Sequence, residues 1–342
     1  MIAPLLQKLA AHEDLSADEA AAAMADIMAG AAPPALVAGF LVALAMKGER
    51  PEEIVGLART MRREAVPFDS GGREVFDTCG TGGDRSGTIN ISSAASLVLA
   101  ACGVPVAKHG NRSVSSRCGS ADVFEALGVH VAASPATAAR CLAETGVTFL
   151  FAPTFHPSMR HAAPTRRELG LRTAFNLLGP LTNPAGPTRQ LVGVPRPELT
   201  ELLARALHLL GAERAWVVHG ADGIDEISLA GHTKVSECWH GGVRTFYIHP
   251  ADYGMRKAPL SALAGGDAGD NASAILDILN GAEGPARDVV VLNVAAALFV
   301  AGRVPSVRDG LGVAADAIDT GRARETLDAL VSTSRAGHGE PA

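Results

Sequence analysis

The sequence predicts an α/β protein: a small all-helical domain joined to a large α/β domain with a mostly parallel central sheet. Three observations carry this. Residues 1–64 hold only helical signals, with capped starts and glycine or proline stops. From residue 74, strand-like runs alternate with helical ones, the pattern of a parallel sheet covered by helices. A stretch at 156–183, polar and then rich in proline and glycine, interrupts that alternation.

Taken in order, Leu5, Leu6 and Leu9 share one helical face. Ser16-Ala-Asp-Glu19 is a capping box that opens a second helix, Ala17 to Met28, which Gly30 ends. Pro33-Pro34 starts a third, whose Leu36, Val37, Phe40, Leu41, Leu44 and Ala45 form a wide apolar stripe. Pro51 suits the first turn of a fourth, Glu52 to Arg63. Pro67 and Ser70-Gly-Gly72 read as a linker, with a domain boundary near 65–72. These short, strongly apolar helices need partners, which makes a homodimer through the small domain the expectation.

Strand-like runs follow at 75–77, 105–107, 147–151, 190–194 and 215–219, with helices near 92–102, 120–127, 135–145 and 198–210. Residues 234–238 and 243–248 read as an antiparallel pair. Helices are expected at about 271–280, 286–301 and 314–332, ahead of a short polar tail. The pattern assigns 1–66 to the small domain and 73–155 with 184–342 to the large one, and the insert 156–183 could rejoin the small domain.

Bulk properties narrow the function classes. A net charge of −6 gives no global basic field for nucleic acid or an acidic membrane surface. Five cysteines, none in a C-x-x-C pair, read as reduced thiols of a cytoplasmic protein. The N-terminus lacks the pattern of a signal peptide, and the most apolar stretch, 289–301, is too short to span a bilayer.

The chemistry concentrates in four motifs. Asp77-Thr-Cys-Gly-Thr-Gly-Gly-Asp-Arg-Ser-Gly-Thr-Ile-Asn-Ile-Ser-Ser93 runs from strand through glycine loop to helix, a phosphate-binding layout. It matches neither G-x-G-x-x-G, since Arg85 stands at the last glycine, nor the P-loop, since Thr88 follows Gly87. It therefore reads either as an anion cradle or as a connecting turn. Lys108-His-Gly-Asn-Arg-Ser-Val-Ser-Ser116, with Gly119-Ser-Ala-Asp122, follows a strand and so shares the ligand-binding sheet edge. Asp222-Gly-Ile-Asp225-Glu226 offers hard oxygen ligands for Mg²⁺, or else is an acidic surface turn. In the fourth, Arg160 and Arg167 share a face if one helix carries both, with Arg166 about 100° away. One of these could fork onto a carboxylate, or all could be solvated. Together the residues describe a Mg²⁺-dependent site for a phosphorylated ligand with a second pocket for a carboxylate; the reaction stays open.

Gly80-Thr-Gly-Gly-Asp84, Asn90-Ile-Ser92, Lys108 to Ser116, Gly119 to Asp122, Asn176-Leu-Leu-Gly-Pro-Leu-Thr-Asn183-Pro and Asp222 to Glu226, in this order and spacing, resemble the anthranilate phosphoribosyltransferases. The likeness runs from about residue 5 to 332. It implies transfer of phosphoribosyl from phosphoribosyl pyrophosphate to the amine of anthranilate, in tryptophan synthesis. It further implies that Gly80, Gly82, Gly83, Asp84, Thr88, Asn90, Ser92, Lys108 and Ser120 line the phosphoribosyl pyrophosphate site. Anthranilate would meet Gly80, His109, Asn111, Arg166, Gly179 and Pro180, with Arg166 on its carboxylate. Ser92 would ligate one Mg²⁺, and Asp225 with Glu226 a second. No residue is assigned as general base, because the arylamine is already neutral at pH 7. Ser93 and Arg85 depart from the family's usual threonine and small residue without removing a motif. The rival readings are a pyrimidine nucleoside phosphorylase, which shares the wider fold, and a non-catalytic relative that binds nucleic acid; the latter would want a basic face.

Overall fold

The computed structural model describes residues 2–113 and 117–336. Val114, Ser115 and Ser116 of the second motif, and the last six residues of the polar tail, lie outside the described residues.

Four helices open the chain: α1 (Ile2–Ala10), α2 (Ala17–Met28), α3 (Pro34–Lys47) and α4 (Pro51–Arg63). The capping box forms as the sequence predicts. Ser16 Oγ accepts from Glu19 N at 3.2 Å, and Ser16 N donates back to the Glu19 carboxylate at 2.9 Å. A buried ion pair joins the helices. Glu53, fully buried on α4, accepts from Lys47 Nζ at 3.0 Å, from Leu15 N at 2.8 Å and from Arg50 N at 2.8 Å. One carboxylate thereby ties the ends of α3 and α4 to the loop before α2.

Seven strands follow: β1 (Phe76–Gly80), β2 (Val106–Gly110), β3 (Val147–Phe151), β4 (Arg189–Gly193), β5 (Arg214–Gly220), β6 (Thr233–Trp239) and β7 (Gly242–Ile248). They form one sheet in the order β3-β2-β1-β4-β5-β6-β7. The pairs from β3 across to β5 are parallel, and β5-β6 and β6-β7 are antiparallel. Residues alternate between faces. On β5, Trp216 and Val218 join a core under α5 (Ile91–Ala101) and the helices 285–300, 307–319 and 322–335. Ala215 and Val217 face the other way, into a core shared with the helix 199–209 and with α1 to α4.

Four differences from the sequence expectations have physical reasons. β1 and β2 extend past 77 and 107, so Lys108 and His109 sit on a strand, held by ladder hydrogen bonds, and not in a loop. α5 begins at Ile91, which places Ser92 and Ser93 inside its first turn. The helix expected over 314–332 is two helices, divided at Gly321 in the left-handed region at φ 80°. Finally, Arg160 lies in a 3-10 turn (Pro157–His161), whereas Arg166 and Arg167 lie in the separate helix Ala163–Leu169, so the shared helical face is absent. Pro164 fits that helix's start and explains the break. No helix among the described residues is long and apolar enough to cross a membrane.

The insert packs against α2, α3 and α4. Arg62 on α4 donates to Leu181 O at 2.6 Å. The linker beyond α4 is tied down as well, through Val66 N to Phe155 O at 2.8 Å.

The buried Glu53 pair makes a stability prediction. Glu53→Ala leaves two backbone N–H groups unpaired, while the Lys47 ammonium keeps Asp14 at 2.7 Å and Gly48 O at 2.9 Å, and costs about 2–5 kcal/mol in denaturant unfolding. Removing the largely exposed Lys8–Glu19 pair by Lys8→Ala costs under about 1 kcal/mol. Equal losses would show that the buried network does not hold the helices together.

Candidate active site

The parallel strands β1, β2, β4 and β5 all end in glycine: Gly80, Gly110, Gly193 and Gly220. At two of them the reason is steric. A Cβ at Gly193 would sit 1.5 Å from Asp225 O, and one at Gly80 would sit 2.4 Å from Asp225 Oδ2. The loop 221–226 therefore lies directly on the ends of β1 and β4, which only a side-chain-free backbone permits. The isolated acidic turn of the sequence becomes a plug in the sheet edge.

Around that plug the predicted residues converge. Asp225 Oδ2 accepts from Gly82 N at 3.1 Å, and Asp225 N donates to Asp84 Oδ2 at 3.4 Å. Glu226 accepts from Ser92 N at 3.0 Å, in the first turn of α5. Lys108 reaches across from β2, donating to Thr78 O at 2.5 Å and to Ser92 Oγ at 3.2 Å. Gly82, Gly83 and Gly87 adopt positive φ of 65°, 78° and 65°, as the loop's glycine density requires. Thr88 pairs with Ala264 as an isolated bridge, and Asn90 caps α5. Asn90 Oδ1 accepts from Asn271 Nδ2 at 2.8 Å. Ser120 opens the helix 120–126 and donates to Asn111 O at 3.4 Å, which sets the end of β2.

The electrostatics follow from burial. Desolvation, then the charge of Asp84, pushes Asp225 up to about 7. Desolvation, then Asp225, pushes Glu226 up to about 8. Burial also lowers the Lys108 ammonium, opposed chiefly by Asp77. The donor set is Asp84, Asp225 and Glu226 carboxylates with the Ser92 hydroxyl. These are hard oxygens, and they fit Mg²⁺. Among the described residues no three His, Cys, Asp or Glu groups close around one point.

A second wall faces the insert. His109 Nδ1 lies 3.1 Å from Gly179 O, and its ring is 5.1 Å from that of His156. Burial holds His109 down to about 3 and His156 down to about 4, so both are neutral at pH 7. With Nδ1–H donating to Gly179 O, His109 Nε2 is left as a buried acceptor without a partner among the described residues. Pro180 O accepts from Gln190 Nε2 at 2.9 Å. Arg166 projects over the Phe175 ring at 4.8 Å, half-buried, while Arg160 and Arg167 are exposed. Asn111, just past β2, accepts Arg112 N on its Oδ1 at 2.8 Å.

Two charged groups that the motifs offered are otherwise engaged. Arg112 pairs with Asp122 and Glu125 at 3.1 and 2.7 Å. Asp222 accepts from Ser228 Oγ at 2.9 Å and shapes its own loop. Conversely, Gln190 and Asn271 carried no signal in the sequence, and Asp77 and Asn183 lie within quoted motifs but were given no role there. Asn183 Nδ2 bridges Asp77 Oδ2 and Ala107 O at 2.8 Å each, beneath the pocket wall. A cavity of about 690 Å³, lined by Arg189, His208, Trp239 and others, opens at the opposite, N-terminal edge of the sheet and contains none of these groups.

Residues 3–65 match the model of the glycosyl transferase family helical bundle domain, and residues 72–324 that of the glycosyl transferase family a/b domain. The anthranilate phosphoribosyltransferase of Moorella thermoacetica is 53% identical over 332 residues, 97% of this chain and 98% of that one. A crystal structure of the enzyme of that name from Thermus thermophilus superposes with a TM-score of 0.91 at 46% identity, covering 96% and 99% of the two chains. The Saccharomyces cerevisiae enzyme in complex with PRPP and Mg superposes at 0.89 with 26% identity, covering 98% of both chains. In complex with 4-fluoroanthranilate it superposes at 0.87 with 25% identity, again over 98% of both. On its motifs, its fold and this full-length identity, the chain belongs to the anthranilate phosphoribosyltransferase family.

Proposed function

We propose that this chain transfers the phosphoribosyl group of phosphoribosyl pyrophosphate to the amine of anthranilate. The products are N-(5-phosphoribosyl)anthranilate and pyrophosphate, in tryptophan synthesis. The observation that carries it is the single sheet edge at which the glycine loop, Lys108 and three carboxylates meet, beside a wall of neutral imidazole and half-buried arginine. Gly80, Gly82, Gly83, Asp84, Thr88, Asn90, Ser92, Lys108 and Ser120 take the sugar and pyrophosphate. Gly80, His109, Asn111, Arg166, Gly179 and Pro180 take anthranilate, with Arg166 on its carboxylate.

Ser92 would hold one Mg²⁺ and Asp225 with Glu226 a second, with the Asp84 carboxylate beside Asp225. When bound, Mg²⁺ supplies charge neutralisation on the leaving pyrophosphate. Lys108 fixes the Ser92 hydroxyl and Thr78 O in the middle of β1, so these groups need no reorganisation as charge develops. His109 Nε2 accepts a hydrogen bond from the arylamine and aims its lone pair at the ribose carbon. With its pKa so far down, His109 orients the amine and does not deprotonate it before attack. The chemistry needs no stronger base, since the proton becomes acidic only once the C–N bond forms.

The same reading divides the chain into a small domain, 1–66 completed by 156–183, and a large domain of 73–155 and 184–342. Packing of the insert on α2 to α4 supports it. Closure of one domain on the other would shield the site from water. The five cysteines, none of them in a disulfide among the described residues, accord with a cytoplasmic setting. The small domain is also the surface for a homodimer. α3 is apolar nearly all round, and its outer face carries Ala35, Ala45 and Met46 exposed, Met46 at 77%. Light scattering at micromolar concentration should give twice the chain mass; the mass of one chain would reject the dimer.

The direct test follows loss of anthranilate fluorescence. Loss should require both phosphoribosyl pyrophosphate and Mg²⁺. Asp225→Asn with Glu226→Gln should lower kcat/KM by about a hundredfold or more, the scale of several kcal/mol of lost charge stabilisation. Phosphorolysis of a pyrimidine nucleoside in place of that loss would favour the rival reading.

A pH prediction follows from the buried groups. Raised carboxylate pKa values contribute stability that is present at low pH and lost as pH climbs through them. The depressed histidines act with the opposite sign, but their contribution is complete once pH exceeds the unfolded value of about 6.5. Between pH 6.5 and 8, metal-free protein should therefore lose about 1–2 kcal/mol through Asp225 and Glu226, read as a falling Tm. Mg²⁺ with pyrophosphate should flatten that slope. A Tm that rises with pH over this window would contradict the burial of ionisable carboxylates at the sheet edge.

A further inference from the structure

We propose that Arg172 is a pyrophosphate-binding residue, supplied by the insert to the glycine loop. This rests on the transferase reading for its substrate, but not for its geometry.

Arg172 lies just beyond Gly170, which ends the helix 163–169 in the left-handed region at φ 59°. Its guanidinium lies directly over the glycine loop. A Cβ at Gly83 would fall 1.5 Å from Arg172 Nη1 and 2.7 Å from its Cζ. Gly83 thus leaves room for a cation to lie against the loop backbone, at a φ of 78° that side chains rarely adopt.

The side chain is weakly committed in this position. Its bond to Thr81 O, at 3.5 Å, is at the long limit of a hydrogen bond. No carboxylate lies within ion-pair distance of it among the described residues, although Asp225 and Asp84 attract it while Arg196 and Arg85 repel it. Beside it, the hydroxyls of Thr81 and Thr173 are buried without partners among the described residues.

Charge bookkeeping calls for additional cations here once an anion binds. Asp84, Asp225 and Glu226 bring negative charge to the loop, and the buried ammonium at this edge, Lys108, is occupied by Thr78 O and Ser92 Oγ. A pyrophosphate added to this edge needs cations beyond Lys108. A guanidinium matches two phosphate oxygens with parallel N–H groups, which a backbone carbonyl cannot exploit. Arg172 is poised to exchange its long bond to Thr81 O for such a fork. Arg166, over Phe175, is distinct from it and faces the carboxylate of the acceptor in the proposed reading.

The experiment compares wild type with Arg172→Gln, Arg172→Lys and Arg166→Ala. Calorimetric titration with pyrophosphate in Mg²⁺ gives Kd, and steady-state kinetics give KM for each substrate. Arg172→Gln should weaken pyrophosphate about tenfold or more, the scale of a lost charge-assisted pair, and raise KM for the phosphoribosyl donor in step. KM for anthranilate should stay within about twofold. Arg172→Lys, with charge but no fork, should fall between wild type and the glutamine variant. Arg166→Ala should show the opposite split, which separates phosphate from carboxylate recognition. Because Arg172 is exposed, Tm should be unchanged; if Arg172→Gln does not fold, Arg172→Lys decides by the same Kd comparison. A Kd for pyrophosphate within twofold of wild type in every Arg172 variant overturns the proposal, as does a rise confined to KM for anthranilate. Wild type that binds pyrophosphate but transfers nothing to anthranilate sinks the transferase reading alone. Wild type that transfers while the Arg172 variants bind pyrophosphate normally sinks this inference alone.

Discussion

The contact on which the site depends is the seating of the loop 221–226 on the ends of β4 and β1: the Asp225 backbone lies on Gly193 and the Asp225 carboxylate on Gly80, and neither glycine has a side chain to keep the loop away. That seating buries Glu226, half-buries Asp225 and brings them against Ser92 N and Gly82 N. It puts Asp84 within reach of the same loop. A methyl group at either glycine would push the acidic loop outward and separate the carboxylates from the hydroxyl of Ser92. The buried negative charge is thus imposed by packing, and its cost is what a divalent cation and an anionic substrate would relieve together.

The other half of the site obeys the opposite rule. His109 and His156 are kept neutral by burial, and the wall they belong to is fixed by backbone carbonyls of the insert: Gly179 O on His109 and Pro180 O on Gln190. Asn183 completes the attachment by bridging Asp77 and Ala107 O. A charged edge for phosphates and a neutral, half-apolar wall for an aromatic acceptor lie side by side because β1 and β2 are neighbours in the sheet. Arg172 crosses from the second to the first.

The helical segment is coupled to this arrangement through its packing. Its core is continuous with the face of the sheet that carries Val192, Ala215 and Val217, by way of the helix 199–209. Glu53 ties α3 and α4 to the loop before α2, and Arg62 holds α4 to Leu181 O in the insert that carries the acceptor wall. Movement of the helices would therefore carry the wall with it, whereas the glycine loop is anchored to the sheet.

The sequence by itself determined the local structure and the chemical inventory. Caps, prolines and glycines act within a few residues, so α2 and β3 begin and end where the periodicity puts them, and Asp225, Glu226, Lys108 and Ser92 stand out by motif. Local signals failed where a longer-range contact decided. Strand pairing carried β1 and β2 three residues beyond the runs expected at 75–77 and 105–107 and moved Lys108 and His109 onto a strand. A left-handed Gly321 split what periodicity joined. Only the tertiary structure decided that Asp84 faces Asp225, 141 residues away, that Asn271 holds Asn90, that Arg112 serves a local ion-pair cluster, and that Arg172 lies on Gly83. The reason is physical. Motifs encode which groups a site needs, but the distances between them are set by which backbones approach closely, and that depends on glycines and buried partners far apart in the chain.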